Sequence, residues 1–187
     1  MRGGELPLLC VQKAMITFLL PYYNEFSQEI YEQIINELPL PCIECSCGKS
    51  GCLIFYGHYQ RTIKWHSKLI KLIVQRVLCK ECGATHALLP DVLVPYSQIS
   101  LEDQQKIIRL IEDGECIEPI LEANCLIDEN NIKYIIRQYR KHWKEKLLSI
   151  GNTLLEPLTI PCFSAYSRQF MQIHRTRNKL NTITNTC

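Results

Sequence analysis

No apolar run in this 187-residue sequence approaches the roughly 20 residues that span a bilayer as a helix. The longest, Met15-Ile-Thr-Phe-Leu-Leu20, stops well short, so no membrane segment is expected. A signal peptide is not expected either. The stretch Leu6-Pro-Leu-Leu-Cys10 is short, Lys13 interrupts it, and no small-residue cleavage site follows. A reducing cytoplasm is the expected setting, whether the start is Met1 or Met15. Aspartate is scarce: Asp91, Asp103, Asp113 and Asp128 are the whole set, and all fall at linker, turn or cap positions. With no histidine cluster to replace them, a metal-dependent nuclease centre has nothing to be built from, and no enzyme is expected. Repeats and low-complexity segments are absent. With 47% hydrophobic and 21% charged residues, the chain has the composition of a folded protein.

Cysteine is abundant. Eleven thiols are too many for a reducing compartment unless some bind metal, and an odd number cannot pair fully. Cys79-Lys-Glu-Cys82-Gly83 has the spacing at which two thiolates grip one ion, and its glycine permits the tight turn that aims amides at sulfur. Some thirty residues upstream lies Cys42-Ile-Glu-Cys45-Ser-Cys47-Gly48-Lys-Ser-Gly51-Cys52. Two of those four cysteines complete a tetrahedral site, and spacing alone leaves open which two. His58, His66 and His86 are expected to be surface or packing residues. A closed four-sulfur site is structural, so Zn²⁺ is the expected cofactor. A redox role for Cys-x-x-Cys would need a βαβ context that is missing.

The net charge of +2 conceals segregation. Residues 53–86 set Arg61, Lys64, Lys68, Lys71, Arg76 and Lys80 against Glu81 alone, and residues 101–131 set nine acids against Lys106 and Arg109. Residues 132–148 set Lys133, Arg137, Arg140, Lys141, Lys144 and Lys146 against Glu145, and no acid follows Ser164. Basic blocks at several points along a chain suit a polyanion.

Hydrophobic spacing then divides the chain. Residues 1–14 read as an extension without pattern, followed by a helix near Ser27–Leu38 that Pro39 and Pro41 end. Leu53–Ile63 and Leu69–Leu78 read as an antiparallel hairpin running into Cys79, with Lys64, Lys71 and Gln75 outward and Leu72, Val74 and Val77 inward. Residues 87–99, with two prolines, read as a linker. From Ser100, a capping serine, the pattern becomes helical as far as Asp113-Gly114; a short helix follows at Ile117–Ala123. Asp128 caps a third helix expected to reach Leu148, with Ile132, Ile135, Ile136, Tyr139, Trp143 and Leu147 buried. The expected fold class is α+β: a zinc-ribbon β hairpin followed by a helix-turn-helix module. Its parts are an extension and helix over 1–41, the ribbon over 42–90, the helical module over 100–150 and a basic tail over 151–187. In the tail, aromatics are expected to dock on the fold while the last dozen or so residues fray.

On the third helix, Asn131, Lys133, Arg137, Gln138 and Lys141 lie off the apolar stripe. Asn and Gln suit adenine edges, Arg suits guanine, and Lys neutralises phosphate, so double-stranded DNA is the expected partner. The alternative is an adaptor that meets another protein through the hairpin and the Trp143 helix.

The order of these motifs resembles an uncharacterised bacterial family. The residues that carry the likeness are the cysteine cluster, Tyr56-Gly-His-Tyr-Gln-Arg61, and Arg76-Val-Leu-Cys-Lys-Glu-Cys-Gly-Ala-Thr-His-Ala-Leu-Leu-Pro90. The chain is also similar, more loosely and over residues 42–148, to the N-terminal zinc-ribbon and helix-turn-helix part of insertion-sequence transposases. The resemblance favours Cys45, Cys47 and Cys52 over Cys42 as partners of Cys79 and Cys82. It implies a mobile-element-associated or regulatory DNA-binding protein. The departure is the missing nuclease domain with its three carboxylates.

Overall fold

The computed structural model describes residues 9–12, 15–20, 26–155 and 157–173. The fold is α+β. Strands β1 (Leu9–Gln12), β2 (Met15–Phe18), β3 (Leu53–Trp65), β4 (Lys68–Cys79) and β5 (Thr85–Pro90) form one sheet in the order β1-β2-β5-β4-β3. Helices α1 (Gln28–Glu37), α2 (Leu101–Glu112), α3 (Ile117–Ala123), α4 (Glu129–His142), α5 (Lys144–Ser149) and α6 (Thr159–Tyr166) complete the described elements, with a 3-10 turn at Leu40–Cys42.

Three of these elements differ from the sequence expectation. Part of the supposed linker is β5, the central strand. Leu88 and Leu89 point to opposite faces and both are buried, so the run lacks the alternation that marks a half-exposed strand. Pro90 is tolerated because it ends the strand. Part of the supposed extension supplies β1, paired antiparallel with β2, which in turn runs parallel to β5. The third helix stops at His142, where Trp143 leaves helical geometry (φ −126°, ψ −28°) before α5 resumes.

The β3–β4 hairpin pairs from Leu53↔Cys79 to Trp65↔Lys68 with one shift between Phe55 and Gly57. Tyr56 is the extra residue of a β3 bulge there. Leu72 and Val74 bury on one face and Val77 on the other. Lys71 is exposed, whereas Gln75 and Lys64 are half-buried.

Helix α1 starts where Ser27 Oγ accepts the Ile30 amide at 3.3 Å, a side-chain cap for an orphan donor. Its Tyr31 holds the sheet together where β4 and β5 diverge beyond the Arg76↔Ala87 pair. The phenol donates to Leu88 O and accepts from Gln75 N, both at 2.9 Å, and its burial pushes its pKa up. Tyr31→Phe removes both bonds and strands a buried carbonyl. It should lower unfolding free energy by about 2 kcal/mol, measured by urea titration.

Two apolar cores result. The first gathers the sheet, α1 and the residues just after it, with Phe18, Tyr31, Ile63, Leu72 and Leu88 at its centre. The second gathers α2 to α6, with Ile108, Ile132, Ile135, Trp143 and Phe170. They meet at the hairpin tip: Lys64 N donates to Gln98 O at 2.6 Å, and the His66 ring lies 3.3 Å from Glu102 and 3.8 Å from Asp103. Tail aromatics Phe163 and Phe170 dock as expected, while Arg175, Arg177, Lys179 and the terminal residues lie outside the described residues.

Candidate metal centre

The two cysteine turns are built alike. At Cys45 the carbonyl accepts Gly48 N at 2.8 Å, and at Cys79 the carbonyl accepts Gly83 N at 2.9 Å. Both glycines take positive φ, +82° and +71°, which lets the chain curl back so that amides face sulfur. The turns are tied to one another by the foot of the hairpin, through the Leu53↔Cys79 pair and Lys80 N donating to Cys52 O at 2.9 Å.

This brings Cys45, Cys47, Cys79 and Cys82 together with all four sulfurs within 4.8 Å of one another. The fit to a metal follows from the distances. Tetrahedral ligation with legs of about 2.3 Å requires sulfur–sulfur edges of about 3.8 Å. Here Cys45–Cys82 is 3.8 Å and Cys47–Cys79 is 3.9 Å. Amides, the Cys82 N–H foremost, pull the Cys79 thiol down to about 6, toward the thiolate that a metal requires. The cluster suits a metal ion.

Cys52 stands outside the four. Its sulfur lies 3.3 Å from Cys79 Sγ, shorter than a tetrahedral edge, and donates to Lys49 O at 3.2 Å. Burial, then the neighbouring Cys79, pushes its thiol up to about 11. Cys42 is exposed in the 3-10 turn. His86, expected to be a packing or surface residue, is fully buried with Nε2 at 3.3 Å from Cys45 Sγ.

The helices do not lie beside the metal cluster. They meet the hairpin at its opposite end, a dozen pairs away, which is about 40 Å of strand. There α2, α3 and α4 pack through Ile107, Ile108, Ile120, Ile132, Ile135 and Tyr139. Ser100 caps α2 by accepting Asp103 N at 3.0 Å, and Asp128 caps α4 by accepting Asn131 N at 2.7 Å. The acidic block partly neutralises the basic one here. Glu112 on α2 bonds Arg140 at 2.9 Å and also Lys144, and Lys144, then Arg140, holds its carboxyl below the usual range.

The five residues singled out on α4 fall in different environments. Asn131 accepts Lys64 Nζ at 2.8 Å and is turned toward the hairpin. Lys133 pairs with Glu129 at 2.6 Å, Gln138 is half-buried, and Arg137 lies 5.7 Å from the Tyr134 ring centroid. Arg137 and Lys141 are exposed and, among the described residues, meet no carboxylate. Trp143, the anchor of the adaptor alternative, is not available to a partner. It is 1% exposed, packed on Phe170 at 5.5 Å and Tyr166 at 6.2 Å.

Fold and cluster together define an α+β chain with a four-thiol site at one end of a long hairpin and a helical module, α2 to α6, at the other. Residues 42–132 match a family described as a domain of unknown function (DUF6431), a span running from the first cysteine turn into the first turn of α4. No curated protein and no solved structure matches the chain. Among the described residues, no helix is long and apolar enough to cross a membrane.

Proposed function

We propose that this chain is a zinc-stabilised DNA-binding protein, mobile-element-associated or regulatory, without nuclease activity of its own. Zinc is the ion of choice because four thiolates in a closed tetrahedron suit its softness and leave no open position for chemistry. Cys45, Cys47, Cys79 and Cys82 hold it, and its role is to lock the foot of the hairpin.

The observation that carries the DNA reading is the outward face of α4. Its N-terminal turns expose Lys133, Tyr134 and Arg137, and Lys141 follows one turn on. Glu112 is already engaged by Arg140 and Lys144, so the cations further out retain their field. Burial foremost, and then Lys141 and Lys146, pulls His142 below its ordinary value. A capped helix packed on two others, with cations toward solvent, suits insertion into the major groove.

Arg137→Ala should weaken duplex binding by about 1–3 kcal/mol, measured by mobility shift. Duplex affinity should also fall steeply with salt as counterions are released. Unchanged binding by Arg137→Ala, or salt-independent binding, would point instead to a protein partner.

A further inference from the structure

The turn after the sheet holds a residue in a conformation it does not favour. Val94-Pro95-Tyr96-Ser97 is closed by Ser97 N donating to Val94 O at 3.2 Å, with Tyr96 at φ +63° in the third position. That position of a type II turn is ordinarily glycine or asparagine, because a side chain on a left-handed backbone is strained. The surroundings enforce it. The Arg61 guanidinium donates to Val94 O and Ser97 O, and Gln104 Nε2 donates to Ser97 Oγ at 3.0 Å. The result is a tyrosine ring held out from a rigid turn, 64% exposed.

Rings and cations lie on both sides of it. Strand register places Tyr59 and Arg76 on one face of the sheet, where they and Tyr96 line a groove of about 290 Å³. Gly57, paired with Arg76, has open space where a side chain would stand. On its other side Tyr96 shares a small hollow with Tyr134 of α4, over which Arg137 lies. Among the described residues, Arg61, Arg76 and Arg137 pair with no carboxylate.

We propose that Tyr59, Tyr96 and Tyr134, with Arg76 and Arg137, form a path that binds single-stranded DNA by stacking on its bases. Duplex bases hide their faces in the helical stack, so exposed rings spaced along a surface find partners on unpaired bases. Arginines between the rings meet the phosphates, and stacking of this kind is indifferent to sequence. The path goes beyond the duplex contact of α4, since Tyr59 and Tyr96 lie off that helix.

The test uses the full chain, zinc-loaded, with fluorescein-labelled oligothymidine of about a dozen nucleotides and a random duplex, read by anisotropy. Tyr96→Gly is the decisive variant because glycine accepts the left-handed backbone. It should raise the melting temperature by about 2 °C while weakening oligothymidine binding about tenfold, with duplex affinity unchanged. Tyr96→Phe keeps the ring and should bind oligothymidine as the parent does. Parent-like oligothymidine binding by Tyr96→Gly, or none by the parent chain, overturns the proposal. Failure of the α4 reading is seen separately, as duplex binding that ignores Arg137→Ala.

Discussion

Cys79→Ser should abolish metal binding and unfold the foot of the hairpin, while Cys52→Ser should do neither. Structural zinc in small sites contributes about 10–16 kcal/mol, and net stability of a folded domain is about 5–15 kcal/mol, so loss of the ion removes a margin of the same size. Cys79 is fully buried at the start of its turn, and its thiol is drawn down to about 6, toward thiolate. A serine there cannot replace the soft donor. Cys52 stands outside the four sulfurs that gather, so its loss removes a hydrogen bond to Lys49 O and one from Cys79 Sγ, about 1 kcal/mol each, which serine's hydroxyl can in part replace. Metal analysis should return about one zinc per chain for the parent and Cys52→Ser, and none for Cys79→Ser. Hydrogen exchange should show β3 and β4 losing protection near Leu53 and Leu78 in the Cys79 variant and after chelation. A Cys79→Ser protein that retains a full equivalent of zinc would falsify the ligand assignment.

Trp143→Ala is expected to be the most damaging single change in the helical half. The indole sits where α4 breaks into α5, packed edge-on against Phe170 and Tyr166, with Lys146 Nζ 5.2 Å from its ring. Truncating a large buried aromatic costs about 3–5 kcal/mol through lost burial and the cavity left behind. In a chain of this size that is about 10 °C of melting temperature. Trp143→Phe separates packing from polarity. Among the described residues the buried indole Nε1 has no hydrogen-bond partner, so phenylalanine loses some area but removes an unsatisfied donor. It should cost under about 2 kcal/mol by urea unfolding. Equal destabilisation by both variants would mean that the ring edge, rather than its bulk, secures the joint.

The local elements were legible where periodicity, caps and turns spoke together. Ser100 and Asp128 each cap the helix that follows, and the hairpin runs between the cysteine turns as its β-branched residues suggested. β5 was not legible, because a central strand buried on both faces carries no alternation. The break at Trp143 was equally silent, since the apolar stripe continues through Leu147 and tertiary packing on Phe170 decides where the helix ends.

By itself, the sequence determined that two thiol-rich turns flank a hairpin and that a cationic helix follows three helix starts. Those are matters of neighbouring residues and short spacings. Tertiary structure alone decided which sulfurs gather, because four were available upstream and distance in space selects Cys45 and Cys47. It also placed the thiol cluster and the helices at opposite ends of the hairpin, since strand length, at about 3.3 Å per residue, sets their separation. And it brought Tyr59, Tyr96 and Tyr134 onto one surface from three separate elements, which no linear pattern records.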